Sequence, residues 1–80
     1  MVKVTLVHAS WCHVCPAAKK LWNDLRSEHD FDYEDIDIDT PEGEALSGKY
    51  SIMSVPTTII DGEVAFIGVP GREEALLKIS

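Results

Sequence analysis

SWCHVCPAA, residues 10–18, contains both cysteines of the chain, Cys12 and Cys15, three positions apart. The preceding residues, MVKVTLVH, alternate apolar with polar side chains and are rich in β-branched residues, which predicts a strand ending near His8. From Val14 onward, apolar side chains recur at three- and four-residue spacing, which predicts an amphipathic helix of about four turns. The apolar positions of that helix are Val14, Ala17, Ala18, Leu21, Trp22 and Leu25. Both cysteines therefore fall at a strand-to-helix turn.

The next part of the chain repeats the change from strand to helix. Residues 31–39 alternate isoleucines with aspartates, a pattern typical of an edge strand protected against aggregation by its charges. Thr40 is a suitable helix cap and Pro41 a suitable first helical residue, so residues 41–47 are predicted to form a short helix that Gly48 ends. Three side chains near this helix are expected to face inward: Ala45, Leu46 and Tyr50.

The last part of the chain has the pattern of a hairpin followed by a helix. Residues 57–60 and 64–67 read as strands joined by an Asp-Gly turn, a strong local signal for a hairpin. A last helix is expected to begin at Gly71 and to pack through Ala75, Leu76 and Ile79. The order β-α-β-α-β-β-α predicts one α/β domain over residues 1–80. A right-handed crossover makes the first two strands parallel neighbours in a mixed four-stranded sheet, with helices on both faces.

Composition and charge exclude several classes of function. Of 80 residues, 14 are acidic and 7 are basic, so the net charge of −7 argues against nucleic acid or an anionic membrane surface as the partner. No apolar run approaches the roughly 20 residues that span a bilayer, and the N-terminus lacks the layout of a signal peptide. We expect a cytoplasmic protein, and nothing in the sequence requires more than a monomer.

The position of the two cysteines indicates redox chemistry. A bridge between them would close a loop of four residues, worth only about 2 kcal/mol, which makes it a poor structural staple. The unpaired N–H groups and dipole at the start of a helix stabilise an anion, and thiolates of C-x-x-C motifs form well below the pH at which a free thiol ionises. We therefore expect Cys12 to attack a partner disulfide and Cys15 to resolve the mixed disulfide.

Two histidines, His8 and His13, lie close to the cysteines in the sequence. His13, when protonated, would stabilise the thiolate further, although an ordinary exposed turn histidine is an equal alternative. His8 at the strand end is more typical of a structural residue. Structural zinc needs four ligands, and no second Cys/His pair follows Cys12 and Cys15, so no metal site is predicted.

These motifs together resemble the thioredoxin superfamily, and more narrowly the small, glutaredoxin-sized thioredoxins of archaea. The resemblance rests on CHVCPAAK at residues 12–19, IMSVPT at 52–57 and FIGVP at 66–70. It implies a thioredoxin-like fold in which Pro56 is cis and lies beside the cysteines. The implied substrate-docking residues around Cys12 are Trp11, His13, Val14, Val55, Pro56, Gly68 and Val69.

The resemblance also implies partners and leaves alternatives open. It implies reduction of disulfide-containing target proteins, recharging by a thioredoxin reductase-type electron donor, and no cofactor beyond the Cys12–Cys15 pair. A buried acid, frequent under the second cysteine in full-length thioredoxins, is replaced here by Val4 and Leu6. The alternatives are a glutaredoxin that uses glutathione or another small thiol, an oxidase or isomerase, and a module that binds a metal or an iron–sulfur cluster. The motif preceding Cys12 and the residues after the hairpin do not match the usual glutathione site.

Overall fold

The computed structural model describes residues 2–79. Within these residues, strands and helices follow one another in the predicted order: β1 (Lys3–His8), α1 (Cys15–Glu28), β2 (Asp32–Asp37), α2 (Pro41–Tyr50), β3 (Thr57–Ile60), β4 (Glu63–Ile67) and α3 (Arg72–Ile79). None of the helices in this part of the chain is both long and apolar enough to cross a membrane.

The four strands form one mixed sheet in the order β2-β1-β3-β4. β1 and β2 are parallel, with a register that runs from Lys3 opposite Asp32 to His8 opposite Asp37. β3 is antiparallel to both β1 and β4. The structure confirms the predicted parallel pair, the mixed four-stranded sheet and the edge position of the acidic strand β2.

Helices cover both faces of this sheet, as predicted. Val4 and Leu6 of β1 are fully buried on one face, where they pack in a cluster with residues of α1 and α3. Because successive side chains of a strand point to opposite faces, Thr5 points the other way, toward α2. On that side the sheet and α2 enclose a cavity of about 260 Å³, lined by Thr5, Leu46 and Tyr50 among others.

Trp22 of α1 is the largest fully buried side chain. Its indole N–H donates a hydrogen bond of 3.2 Å to Oγ1 of Thr58 on β3, which satisfies the one polar atom of the ring. Phe31 meets the indole edge-on, with 6.1 Å between ring centroids. Ala18 and Leu25 are buried beside it as predicted, whereas Ala17, also placed on the apolar face by its spacing, is exposed. The core is therefore centred on one helix crossing β1 and β3.

Tyr33 on β2 has a raised pKa. Burial is the main cause of the rise of this pKa from 10.0 to about 12, the charge of Asp35 adds to it, and the charge of Arg26 opposes it. The guanidinium of Arg26 lies over the Tyr33 ring, 5.8 Å from the centroid. The hydroxyl oxygen is buried without a hydrogen-bond partner, so the neutral phenol is the form that the folded protein accommodates.

α2 differs from its prediction at its end and in its buried face. The side chain of Thr40 accepts a hydrogen bond from the Gly43 N–H (3.1 Å), which confirms the predicted cap. The helix continues through Gly48 to Tyr50 and ends at Ser51, which adopts a left-handed conformation with φ 54°. The predicted end at Gly48 is wrong because a glycine permits a helix to end but does not force it to.

The predicted inner face of α2 is also partly wrong. Ala45 is exposed, and Leu46 and Tyr50 are only half-buried. The residue that α2 buries is Gly43, because the helix approaches the end of β2 so closely that a side chain does not fit there. The apolar pattern alone could not reveal a contact made by a residue without a side chain.

The hairpin and the last helix confirm their predictions. Asp61 and Gly62 both have positive φ values, 50° and 82°, as a two-residue hairpin turn of the favoured hand requires. The N–H of Ala75 donates to the carbonyl of Gly71 (3.0 Å), so α3 follows directly on that glycine. Ala75 and Ile79 are buried in the core cluster.

Candidate active site

The connection between β1 and α1 presents the two cysteines. The backbone N–H of Cys12 donates to the carbonyl of Ala9 (3.2 Å), which folds the chain back before the helix. Val14 is the N-cap residue, α1 begins at Cys15, and Pro16 occupies the first turn, where a missing N–H is tolerated. Cys12 therefore lies two residues before the cap, and Cys15 is the first helical residue.

Cys12 and Cys15 are joined by a disulfide, with their Cα atoms 5.5 Å apart. The two sulfur-bearing residues differ in access to solvent: Cys15 is 1% exposed, whereas Cys12 is partly exposed. No acidic residue lies in the first turn of α1, so nothing there opposes the attraction of the helix start for an anion. A partner can reach the sulfur of Cys12 but not that of Cys15. This is the arrangement expected when one thiol attacks a disulfide and the other resolves the mixed disulfide.

The peptide bond between Val55 and Pro56 is cis, which confirms the prediction made from the resemblance. The Sγ atom of Cys12 lies 3.7 Å from the carbonyl oxygen of Val55, so the loop before β3 borders the disulfide directly. The sulfur carries no hydrogen in the disulfide, and this approach is a van der Waals contact. The Pro56 carbonyl accepts a hydrogen bond of 2.7 Å from the N–H of Gly68, which has φ 91°. Backbone contacts thus bring Cys12, Val55, Pro56 and Gly68 together.

The predicted docking residues differ in what they present to solvent. Trp11, Val14 and Val69 are large apolar residues with exposures of 63%, 52% and 43%, and His13 is exposed as well. Val55 and Gly68 are half-buried. Pro56 is fully buried, so its ring is covered and does not belong to an exposed apolar rim.

Trp11 makes a contact that the sequence did not suggest. Its indole N–H donates to Oδ2 of Asp39, beyond the end of β2, at 3.1 Å. The sequence pattern places Asp39 on the acidic face of the predicted edge strand and gives no link to Trp11. The signal that could have found it is the parallel pairing of β1 and β2, which brings the segments following these strands to the same edge of the sheet.

A groove of about 490 Å³ runs along one side of the disulfide. Its polar lining consists of Ser10, together with His8 at the end of β1, Asp37 at the end of β2 and Lys19 of α1. The residues under the site on β1, Val4 and Leu6, are fully buried and apolar, as expected from the sequence. Among residues 2–79, no group of three or more histidine, cysteine or acidic side chains is arranged to hold a metal ion.

Comparison with known proteins finds similar sequences along nearly the whole chain. The sequence model of the Thioredoxin domain matches residues 1–79. The chain is 38% identical to the thioredoxin of Methanocaldococcus jannaschii over 80 residues, 96% of this chain and 94% of the relative. It is 35% identical to a probable thioredoxin of Methanothermobacter marburgensis over 82 residues, 100% of this chain and 94% of the relative.

Solved structures agree with this result. A mutant thioredoxin from Halobacterium salinarum superposes with a TM-score of 0.78 and 25% identity, covering 99% of this chain and 75% of that one. A malarial protein superposes with a TM-score of 0.82 at 21% identity, covering 99% of this chain and 93% of that one, a likeness of fold alone.

The sheet with helices on both faces and the cysteine pair at the start of α1 define a thiol–disulfide oxidoreductase. The match along nearly the whole chain then identifies its kind: the chain belongs to the thioredoxin family. The relatives favour the thioredoxin interpretation over the glutaredoxin alternative.

Proposed function

We propose that the protein reduces disulfides of other proteins, with Cys12 as the attacking thiolate and Cys15 as the resolving thiol. The observation that carries this proposal is the unequal exposure of two bonded cysteines at the start of α1. Cys12 forms a mixed disulfide with the target, and Cys15 then displaces the target and closes the Cys12–Cys15 disulfide. A separate reductase of the flavin or iron–sulfur type returns the pair to the dithiol.

The reduction of insulin disulfides by dithiothreitol tests the two roles. Cys12→Ser should abolish the catalysed rate, because the only thiol left is buried. Cys15→Ser should keep the first attack and, mixed with insulin in the absence of dithiothreitol, accumulate mixed disulfides, which electrophoresis without reductant detects. A Cys12→Ser variant as active as the parent would refute the assignment, and so would the absence of mixed disulfides with Cys15→Ser.

The docking surface is proposed to comprise Trp11, His13, Val14, Val55, Gly68 and Val69, without the predicted Pro56, whose ring is buried. Its support is the contact of Cys12 with the Val55 carbonyl and the exposure of three large apolar side chains in the segments that flank the site. At a protein interface, a minority of well-packed central contacts contribute about 1 kcal/mol or more each. The target therefore needs an extended segment around its disulfide that can pair with the Val55 backbone.

Val69 offers a matched test of this surface. Val69→Ser should lower kcat/KM for insulin about fivefold, which corresponds to about 1 kcal/mol, and leave the reaction with dithiothreitol unchanged. Leu77→Ser on α3 is the control, because Leu77 is also an exposed large apolar residue. Equal losses from the two variants would show that general hydrophobicity, and not docking at Val69, sets the rate.

We further propose that residues 1–80 act as a single monomeric domain in the cytoplasm and that the disulfide is the only redox group. The reducing poise of that compartment keeps a dithiol available for turnover. Absorbance and metal content of the purified protein test the alternative of a bound metal or iron–sulfur cluster. Turnover sustained by glutathione alone would favour the glutaredoxin alternative, and light scattering measures the oligomeric state.

A further inference from the structure

The resolving step needs a group that accepts a proton. Cys15 is 1% exposed, and it meets solvent only through the groove that it lines together with Cys12. Burial in apolar surroundings stabilises the neutral thiol over the thiolate, yet the thiolate is the form that attacks a disulfide. The fully buried side chains of Val4 and Leu6 can accept no proton. A base must therefore reach Cys15 from the groove beside the disulfide.

His8 is one of the residues that line that groove. It has the same parity along β1 as Val4 and Leu6, so its side chain points to the face of the sheet that carries α1. It lines the same groove as Cys12 and Cys15, and its side chain is 12% exposed. Its backbone carbonyl accepts a hydrogen bond from the Ile38 N–H (2.8 Å), which fixes the end of the strand from which the imidazole projects.

The charged groups around His8 suit an imidazole that gains and loses a proton. Asp35 has the same parity as Asp37, the register partner of His8, and its Oδ1 lies 3.7 Å from Nε2 of His8. That carboxylate stabilises the imidazolium once it forms. With the proton on Nε2, toward Asp35, the lone pair of the ring is on Nδ1 and can accept a second proton.

The other titratable groups of the groove are less suited to this role. Oδ1 of Asp37 accepts a hydrogen bond from the Asp39 N–H (2.8 Å), and a carboxylate is in general a weaker base than an imidazole. Lys19 of α1 also lines the groove, and an ammonium group can stabilise a thiolate but has no lone pair with which to take its proton. Imidazole is the side chain whose proton exchange matches neutral pH.

We propose that His8, supported by Asp35, accepts the proton of Cys15 when Cys15 resolves the mixed disulfide, a role that rests on the proposed function above. The Cys15 proton moves to the imidazole while the Cys15 sulfur bonds to the Cys12 sulfur. The bond from Cys12 to the target sulfur breaks, and the target leaves as a thiolate with the electron pair. The products are the Cys12–Cys15 disulfide, the reduced target sulfur and an imidazolium, which returns its proton to water.

Rapid mixing of the reduced protein with excess 5,5′-dithiobis(2-nitrobenzoic acid) separates the two steps. Attack by Cys12 releases one coloured thiolate in a phase that depends on reagent concentration. Resolution by Cys15 releases the second in a phase that does not. A positioned general base contributes at least about 100-fold, but water in an open groove replaces part of it, so His8→Gln should slow the second phase about tenfold. The first phase should change by no more than about twofold, because His8 does not act on the Cys12 attack.

The pH profile distinguishes proton transfer from a structural effect. In the parent, the rate constant of the second phase should increase as the pH rises through neutrality. In His8→Gln, this increase should occur at higher pH, where an unassisted thiol ionises. Asp35→Asn, a change at a half-exposed side chain, should slow the second phase at pH 8 by a smaller factor, and it serves as the second variant if His8→Gln does not fold. His29→Gln, an exposed histidine at the end of α1, is the control.

The outcomes separate this proposal from the proposed function. A second phase of His8→Gln that superimposes on that of His29→Gln at every pH would overturn the role of His8 and leave the cysteine roles intact. If His8→Gln does not fold, a second phase of Asp35→Asn equal to the parent's would have the same meaning. Absence of the first phase from the parent would overturn the assignment of Cys12 and, with it, the role of His8.

Discussion

Because α2 lies close to β2, we expect alanine substitutions at two glycines of α2 to change the stability in opposite directions. An alanine at Gly43 would place its methyl group against the carbonyl oxygen of Asp37 and 2.6 Å from Cα of Ile38. Both obstacles are backbone atoms, which cannot rotate away as a side chain can. At Gly48, in the same helix, an added methyl group would meet no atom within 4 Å. Gly48→Ala is therefore the matched control for Gly43→Ala.

The two effects can be compared in free energy. Replacing a helical glycine by alanine gains about 0.5–1 kcal/mol, because the unfolded chain loses conformational freedom. Overpacking costs about 1–3 kcal/mol, and a clash with backbone belongs at the upper end of that range. Gly43→Ala should therefore lower the free energy of unfolding by about 2 kcal/mol, whereas Gly48→Ala should raise it by about 0.5–1 kcal/mol. For a domain of 80 residues, whose total stability is about 4–12 kcal/mol, the first loss is large.

Urea unfolding of the oxidised proteins, followed by tryptophan fluorescence, measures both changes. The midpoint should fall for Gly43→Ala and rise for Gly48→Ala with the slope unchanged. The midpoint temperatures should shift by roughly −8 to −16 °C and roughly +2 to +8 °C. If Gly43→Ala unfolds at the same urea concentration as Gly48→Ala or above it, the argument that backbone contact sets the position of α2 is refuted.

Three further predictions concern single interactions. Thr58→Val leaves the buried indole N–H of Trp22 without its acceptor and should cost about 1–3 kcal/mol in urea unfolding, so an unchanged midpoint would contradict the importance of that bond. Because burial raises the pKa of Tyr33 above that of an unfolded tyrosine, the stability due to its neutral form is complete below pH 10 and should be lost as the pH rises toward 12. Tyr33→Phe should remove this loss from unfolding curves measured in that range, and persistence of the loss would assign it to another group. Asp39→Ala should release the exposed indole of Trp11, seen as faster motion in fluorescence anisotropy, while changing stability by less than about 0.5 kcal/mol. Unchanged anisotropy would show that the hydrogen bond to Asp39 does not restrain the ring.

Features encoded by neighbouring residues could be predicted from the sequence. The period-two and period-3.6 patterns located the strands and helices, and the Asp61-Gly62 turn located the hairpin, because each depends on contacts within a few residues. The cysteine pair was placed correctly at the strand-to-helix turn for the same reason. The cis bond before Pro56 came only from the resemblance, since no local pattern distinguishes a cis from a trans proline.

Features that depend on tertiary approach were missed. The true end of α2 and the burial of Gly43 follow from how the helix meets β2, which the apolar pattern of the helix does not encode. The contact of Trp11 with Asp39 joins residues 28 positions apart. From the sequence alone, His8 is more typical of a structural residue, because the charged side chains around it come from β2 and α1 and only the tertiary fold brings them together.

The burial of Cys15 also determines how the protein should respond to peroxide. In the reduced protein, peroxide should meet Cys12 first, because Cys15 is covered, and should convert Cys12 to a sulfenic acid. The Cys15 thiol then condenses with that sulfenic acid and regenerates the ordinary disulfide before further, irreversible oxygenation can occur. Because Cys15 is covered, oxidation by peroxide should therefore yield the same disulfide that forms when a target is reduced, and the electron donor can reduce it again.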